Sequence, residues 1–263
     1  MGKNNNVTKL AFIGNTKLTK HAIEEVLKIK NYKIVILFGL SDAKMIDKVN
    51  SISMDSLCKE AGITLDKSED WDKFYYACKQ ENVDTIITLG DSRVVPKKIV
   101  NNFEVIGNHG AILPHVKGGA SLVWGRMFNL GFWGISIMKI REKIDSGEIL
   151  KTKKFHYTDV ITEKDFVQTA DALTIEALLE VLGGDVQPVC NKKWDVRVSK
   201  QTDSYKTSEI FKYCMDNDLC IYLPPRIPKD GTIKQEWPQE FINNFKIANN
   251  NPYPKWINEK EGK

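Results

Sequence analysis

A short apolar run beginning at Glu104 to Ile106 passes directly into Gly107-Asn108-His109-Gly110, so a carboxamide and an imidazole stand side by side just after what reads as a buried strand. Further along, Ile144-Asp145-Ser146-Gly147-Glu148 returns a carboxylate in a glycine turn. Between the two lie Leu113-Pro114 and Lys117-Gly118-Gly119, a turn that carries a cation. Taken singly these are ordinary features: a histidine at a strand end is most often a hydrogen-bonded structural residue, and D-x-G most often closes a hairpin. Together they form a proton-transfer set. An imidazole moves protons near neutral pH, a carboxylate orients the ring and stabilises its charge, and an amide N–H donates to an oxygen that gains negative charge. Asn108, His109 and Asp145 are therefore the candidate catalytic residues. The 4 histidines show no H-E-x-x-H or H-x-H spacing and the 5 cysteines no C-x-x-C pair, so neither a metal nor a disulfide framework is expected.

The elements that must position these residues follow from apolar periodicity. Lys9 to Gly14, Lys33 to Gly39 and Asp84 to Gly90 are apolar runs that end in glycine. They alternate with helix-period stretches at about Lys17 to Ile29, Ser53 to Ala61 and Trp71 to Gln80, with a possible short strand at Thr64 to Lys67. Pro96 opens a short helix. Near-continuous apolar strands alternating with helices predict an α/β fold, a Rossmann-like and mostly parallel sheet covered on both faces. Downstream, Ser121 to Leu130 reads as a helix with Ser121 near its N-cap, Trp133 to Ile140 and Glu148 to Tyr157 as partnered strands, and Thr162 to Leu182 as a long helix stopped by Gly183-Gly184. In such sheets ligands gather outside the carboxyl ends of the strands. Gly14-Asn15, Gly90 to Val95 and Gly107 to Gly110 all fall there.

Composition narrows the class without naming the chemistry. With 263 residues, 42% hydrophobic and 27% charged, the chain suits one large α/β domain plus an appendage. The expected division is a catalytic domain over 1–184 and a small irregular C-terminal extension over 185–263, where Pro224, Pro225 and Pro228 cluster with many asparagines. No apolar run approaches the roughly 18 residues of a membrane span. Met1 to Asn6 is short and polar, unlike a secretory leader, so a cytoplasmic location is expected. A net charge of +4 does not call for nucleic acid and is compatible with an anionic small molecule.

Several segments resemble the formyltransferases that use 10-formyltetrahydrofolate, a family that includes methionyl-tRNA, glycinamide ribonucleotide and sugar-nucleotide enzymes. The resemblance is carried by His109 to Pro114, by Lys117-Gly118-Gly119-Ala120, by the strand Gly134 to Ile140 and by Asp145-Ser146-Gly147. Gly90 to Pro96 is a weaker match to the loop that cradles the pterin. The resemblance implies 10-formyltetrahydrofolate as cofactor, lying against Arg93, Val94, Val95, Ile140 and Ile144. It also implies that the substrate amine attacks the formyl carbon, with His109 as base or charged stabiliser, Asn108 or His109 donating to the oxyanion, and Asp145 orienting the ring. One departure stands out: the family places its asparagine two residues before the histidine, where this chain has Gly107. A bend or bulge at Gly107 would let Asn108 reach the site instead.

The tail and the mouth of the site bear on the acceptor. As the resemblance implies, tRNA enzymes add a C-terminal barrel and a basic surface. Here the tail shows no regular strand alternation, and its lysines are balanced by Asp203, Glu209, Asp216, Asp218, Glu236 and Glu240. The glycinamide ribonucleotide enzymes would extend Gly14-Asn15 into a longer glycine-rich loop, which is absent. The chain is thus most like the sugar-nucleotide N-formyltransferases, and the expected partner is a nucleotide-linked amino sugar for a surface polysaccharide such as a lipopolysaccharide O-chain. Lys117 would neutralise its pyrophosphate, and Trp124 would lie near the site. Neither nucleic acid nor membrane is expected as a partner, and a homodimer is an expectation of the resemblance. The alternatives are a methionyl-tRNA or other amine formyltransferase and a non-catalytic folate-binding module. A nicotinamide oxidoreductase ranks last, because Lys9 to Asn15 lacks G-x-G-x-x-G.

Overall fold

The computed structural model describes residues 7–46, 50–158, 161–186, 188–250 and 253–258. The polar N-terminal stretch over residues 1–6 lies outside them. The chain condenses into two compact units, the first running to Asn108 and resuming at Met138–Gly147, the second comprising His109–Ile137 and the chain from Glu148 onward.

The first unit is the alternating α/β half. It contains β1 (Thr8–Ile13), α1 (Lys17–Val26), β2 (Tyr32–Phe38), α2 (Asp42–Met45), α3 (Asp55–Ala61), β3 (Thr64–Asp66), α4 (Trp71–Gln80), β4 (Thr85–Thr88), α5 (Lys97–Val100) and β5 (Glu104–His109) up to Asn108. The strands lie in the order β3-β2-β1-β4-β5, each neighbouring pair parallel. Leu10 to Ile13 in β1 are wholly buried, as a central strand flanked on both sides requires. Helix starts carry their own caps: Asp70 accepts from the amides of Asp72 and Lys73 at the head of α4, and Thr16 with Thr19 forms a capping box on α1. A cluster including Phe38, Phe74, Ile86, Ile99 and Val105 fills the core.

The second unit contains the His109 end of β5, β6 (Val116–Gly118), α6 (Ser121–Phe128), most of β7 (Phe132–Lys139), β8 (Ile149–His156), α7 (Glu163–Leu182), β9 (Val196–Arg197), α8 (Ser204–Asp216), β10 (Ile221–Leu223), a 3-10 turn (Pro228–Gly231), β11 (Thr232–Ile233), α9 (Gln239–Ala248) and β12 (Ile257–Asn258). β7 neighbours β8, while β6, β10 and β9 form a separate small parallel sheet.

The units cut across the expected boundary at 184/185. The reason is hydrogen bonding over long separations: β10 pairs with β6, and the amide of Ile221 donates to His115 O at 2.8 Å. Nor is the stretch after 184 irregular. Thr207, Phe211 and Cys214 of α8 and Phe241, Phe245 and Ala248 of α9 are buried at helical spacing beneath a surface of asparagine and lysine.

Candidate active site

In the first unit the backbone orients Asn108. β4 and β5 stay in one-to-one register from Thr85↔Glu104 to Thr88↔Gly107, so the expected bulge at Gly107 does not occur. Gly107 is instead a position of close approach. A Cβ there would fall 2.6 Å from Ile140 Cδ1 and 2.9 Å from Thr88 Cγ2, which leaves no room for an asparagine side chain without movement of its neighbours. Asn108 faces the turn after β4, where the amide of Gly90 donates to its Oδ1 at 3.3 Å. A backbone N–H can only donate, so the oxygen of this carboxamide is the atom turned to Gly90, and the NH2 group is what Asn108 has left to offer an oxyanion.

The same turn is tied down from several sides. Thr19 Oγ1 donates to Leu89 O at 2.7 Å. Arg93 acts as a strut: its guanidinium donates to Phe38 O and Gly39 O, each at 3.0 Å, pairs with Asp91 at 2.7 Å, and lies 4.7 Å from the Phe38 ring centroid. Its side chain is thus occupied by protein groups. Val94 is 65% exposed and Ile144 53%, whereas Val95 and Ile140 pack against the core. Val94 and Ile144 thus present apolar side chains to solvent. Asp145 is buried in a left-handed conformation (φ 48°) in the turn that follows β7. That turn depends on Gly147, where a Cβ would sit 1.6 Å from Lys139 O.

In the second unit His109 is buried, and its Nε2 lies 3.0 Å from Val116 O. A carbonyl oxygen only accepts, so Nε2 carries a proton and the basic lone pair of the neutral ring is on Nδ1. The loop that brings Val116 round is anchored by β7. Trp133 Nε1 donates to Gly110 O at 2.8 Å, the amide of Leu113 donates to Ser136 Oγ at 3.0 Å, and Ser136 Oγ donates to Ala111 O at 2.9 Å. Lys117 follows Val116 directly but is only 2% exposed, its Nζ donating to Asn191 Oδ1 at 2.6 Å. Trp124 is also 2% exposed, its Nε1 bound to Pro224 O at 3.0 Å. Both side chains are thus buried and hydrogen-bonded to protein groups.

Sequence reasoning missed the groups that hold the site: Gly90 N–H, Val116 O, Ser136 and Trp133. Backbone atoms have no side-chain signature, and a serine or tryptophan inside a strand reads as packing. Among the described residues no group of three or more His, Cys, Asp or Glu is placed to hold a metal, and no helix is long and apolar enough to cross a membrane.

A family model described as formyl transferase matches residues 8–182. A methionyl-tRNA formyltransferase of Sulfurimonas denitrificans is 26% identical over 178 residues, covering 65% of this chain, and the chain spans 59% of that relative's length. Among solved structures, a 4-N formyltransferase from Francisella tularensis superposes with a TM-score of 0.67 at 14% identity, over 98% of this chain and 95% of its own. The N-formyltransferase from Helicobacter canadensis in complex with folinic acid and dTDP-3-aminofucose gives a TM-score of 0.62 at 15% identity, over 92% of this chain and 80% of its own. At these identities the structures establish the fold.

Proposed function

The chain belongs to the formyl transferase family, and on that premise we propose that it transfers the formyl group of 10-formyltetrahydrofolate to the amine of a nucleotide-linked amino sugar, such as a dTDP-4-amino-4,6-dideoxyhexose. The observation that carries this reading is the pair of consecutive side chains at the end of β5, each held by a backbone group in the state the chemistry needs: Asn108 with its NH2 available as donor, and His109 with Nε2 protonated and Nδ1 basic. When bound, the folate supplies the formyl carbon. The Gly90 to Val95 turn and the residues Ile140 and Ile144 are its proposed supports. His109 takes the proton of the acceptor amine or, once protonated, stabilises negative charge on the formyl oxygen, and Asn108 donates to that same oxygen. Asp145 is the proposed carboxylate of the set, a role that rests on its D-x-G motif. Lys117 and Trp124 are proposed as buried supports of the acceptor side.

The sugar reading draws support from structural neighbours described as a sugar N-formyltransferase and a sugar 3N-formyl transferase, which match 98% and 92% of this chain. The names of the curated relatives favour a second reading, transfer to a methionyl-tRNA. An assay of tetrahydrofolate release, run with a panel of dTDP- and UDP-linked amino sugars and with charged initiator tRNA, separates the two. We expect turnover on one sugar, falling about 10²- to 10⁴-fold in His109→Asn. Turnover on the tRNA alone overturns the sugar assignment. Folate binding without turnover on any amine overturns the transferase reading in favour of a binding module.

A further inference from the structure

Trp133 lies in β7 and is 1% exposed, so its indole N–H must find an acceptor inside the protein. It takes Gly110 O, at 2.8 Å. Gly110 directly follows His109, and glycine is the residue whose backbone turns most freely. The indole therefore closes a hinge beside the proposed base. Two further bonds from β7 continue the grip: Ser136 Oγ donates to Ala111 O at 2.9 Å and accepts from the amide of Leu113 at 3.0 Å. The amide of Val116 then donates to Ile112 O at 3.0 Å, which delivers Val116 O to His109 Nε2.

The fit around the indole is specific. A Cβ on Gly125 of α6 would fall 2.3 Å from Trp133 Cε2 and 2.7 Å from its Nε1, so α6 passes directly against the ring. That backbone is itself pinned, since Tyr157 Oη donates to Gly125 O at 3.1 Å. On the other partner, a Cβ on Gly110 would fall 2.9 Å from Ser121 Oγ and 3.0 Å from Leu122 Cγ. All of these residues belong to the second unit. A large apolar side chain would serve the packing alone, whereas a bond to a backbone carbonyl needs the ring nitrogen. The donor and the bulk of Trp133 are therefore separable properties.

We propose that Trp133 is a positioning residue for the transfer: its N–H holds the Gly110 carbonyl so that the His109 ring keeps Nε2 on Val116 O and presents Nδ1 as the base. The inference rests on the reading of His109 as that base. Two variants of the full chain separate donor from bulk. Trp133→Phe keeps a large ring and loses the N–H, while Trp133→His loses the fused benzene ring and keeps a nitrogen that overlays the indole nitrogen. The measurements are the nitrogen chemical shifts of the His109 ring, which report its tautomer without turnover, steady-state kinetics on the accepted amine, and melting temperature. We expect Trp133→Phe to mix the His109 tautomers and to lower kcat about five- to ten-fold, the worth of one hydrogen bond, at nearly unchanged KM. Trp133→His should melt lower than Trp133→Phe, because it leaves a larger void, and yet keep the parental tautomer. Parental ring shifts in Trp133→Phe, or equal disturbance of the ring in both variants, overturns the proposal. His109→Asn is assayed in parallel. Parental turnover in that variant overturns the base reading and the role of Trp133 with it, whereas lost turnover there beside parental kcat and ring shifts in Trp133→Phe overturns the role of Trp133 alone.

Discussion

Asn108 and His109, the proposed catalytic pair, are each oriented by atoms that belong to no side chain. Gly90 N–H fixes which end of the carboxamide is free, and Val116 O fixes which ring nitrogen is basic. It follows that Asn108→Ala should lower kcat by about 10²- to 10³-fold while leaving KM for the folate nearly unchanged, because the lost donor acts on developing charge. Steady-state kinetics on the accepted amine test this, and a rise in KM at constant kcat would assign Asn108 to binding instead. At this scale the side chains proposed to carry the chemistry stand out in the sequence, whereas the backbone groups that hold them do not. The sequence also pointed to a bulge at Gly107, whereas the strand runs on regularly and Ile140 fills the space an asparagine would have needed.

Among the elements, the strands with continuous apolar runs were readable almost to the residue, because burial on both faces leaves few polar positions and a glycine marks each exit. Of the two- and three-residue strands, β3 was anticipated at Thr64 to Lys67, but β6, β9, β10, β11 and β12 were not, since a period of two barely registers in so short a span. α8 and α9 were hidden by neighbouring prolines and asparagines, although Phe241, Phe245 and Ala248 kept the spacing of one helix face. The start of α7 holds a different kind of feature. Glu163 is 2% exposed, and neither of its carboxylate oxygens has a hydrogen-bond partner among the described residues. Burial raises its pKa to about 9, opposed by the charge of Arg126, and burial also pushes the Tyr253 phenol up, with the charge of Glu163 adding to the rise. The folded state therefore holds this proton more tightly than the unfolded chain, whose carboxyl stays near its model value of 4.5. The linked stability is fully present below that value and is lost as pH rises toward 9. Glu163→Gln should thus melt above the parent at pH 8.5 and close to it at pH 4.5, by roughly 2–4 °C for each kcal/mol relieved. Calorimetric melting across that range checks it. A parent Tm that does not fall with pH relative to the variant would contradict the buried acid.

For the molecule as a whole, the consequential fact is that the second unit is assembled from distant stretches of chain. Phe211 stacks 4.0 Å from Phe128, Trp124 lies under Arg226, and β10 pairs with β6. Removal of residues 185–263 should therefore expose Trp124, Phe128 and Trp133 and leave a chain that is proteolytically labile and aggregation-prone rather than a self-standing core. Limited proteolysis and tryptophan fluorescence of the truncated chain would show this, and a soluble, protease-resistant 1–184 fragment would restore the boundary that composition suggested.

The pairing of β6 with β10 also sets an order of events at the ribosome. Synthesis proceeds at about 5–20 residues per second, and β10 begins at Ile221, more than a hundred residues after β6 begins at Val116. All the strands of the first unit have been made before β10 exists, whereas the edge of β6 waits for it. Val116, whose carbonyl settles the tautomer of His109, belongs to that edge. The nascent chain thus completes the strands of its first unit early and the edge that holds His109 late, when the C-terminal part has emerged.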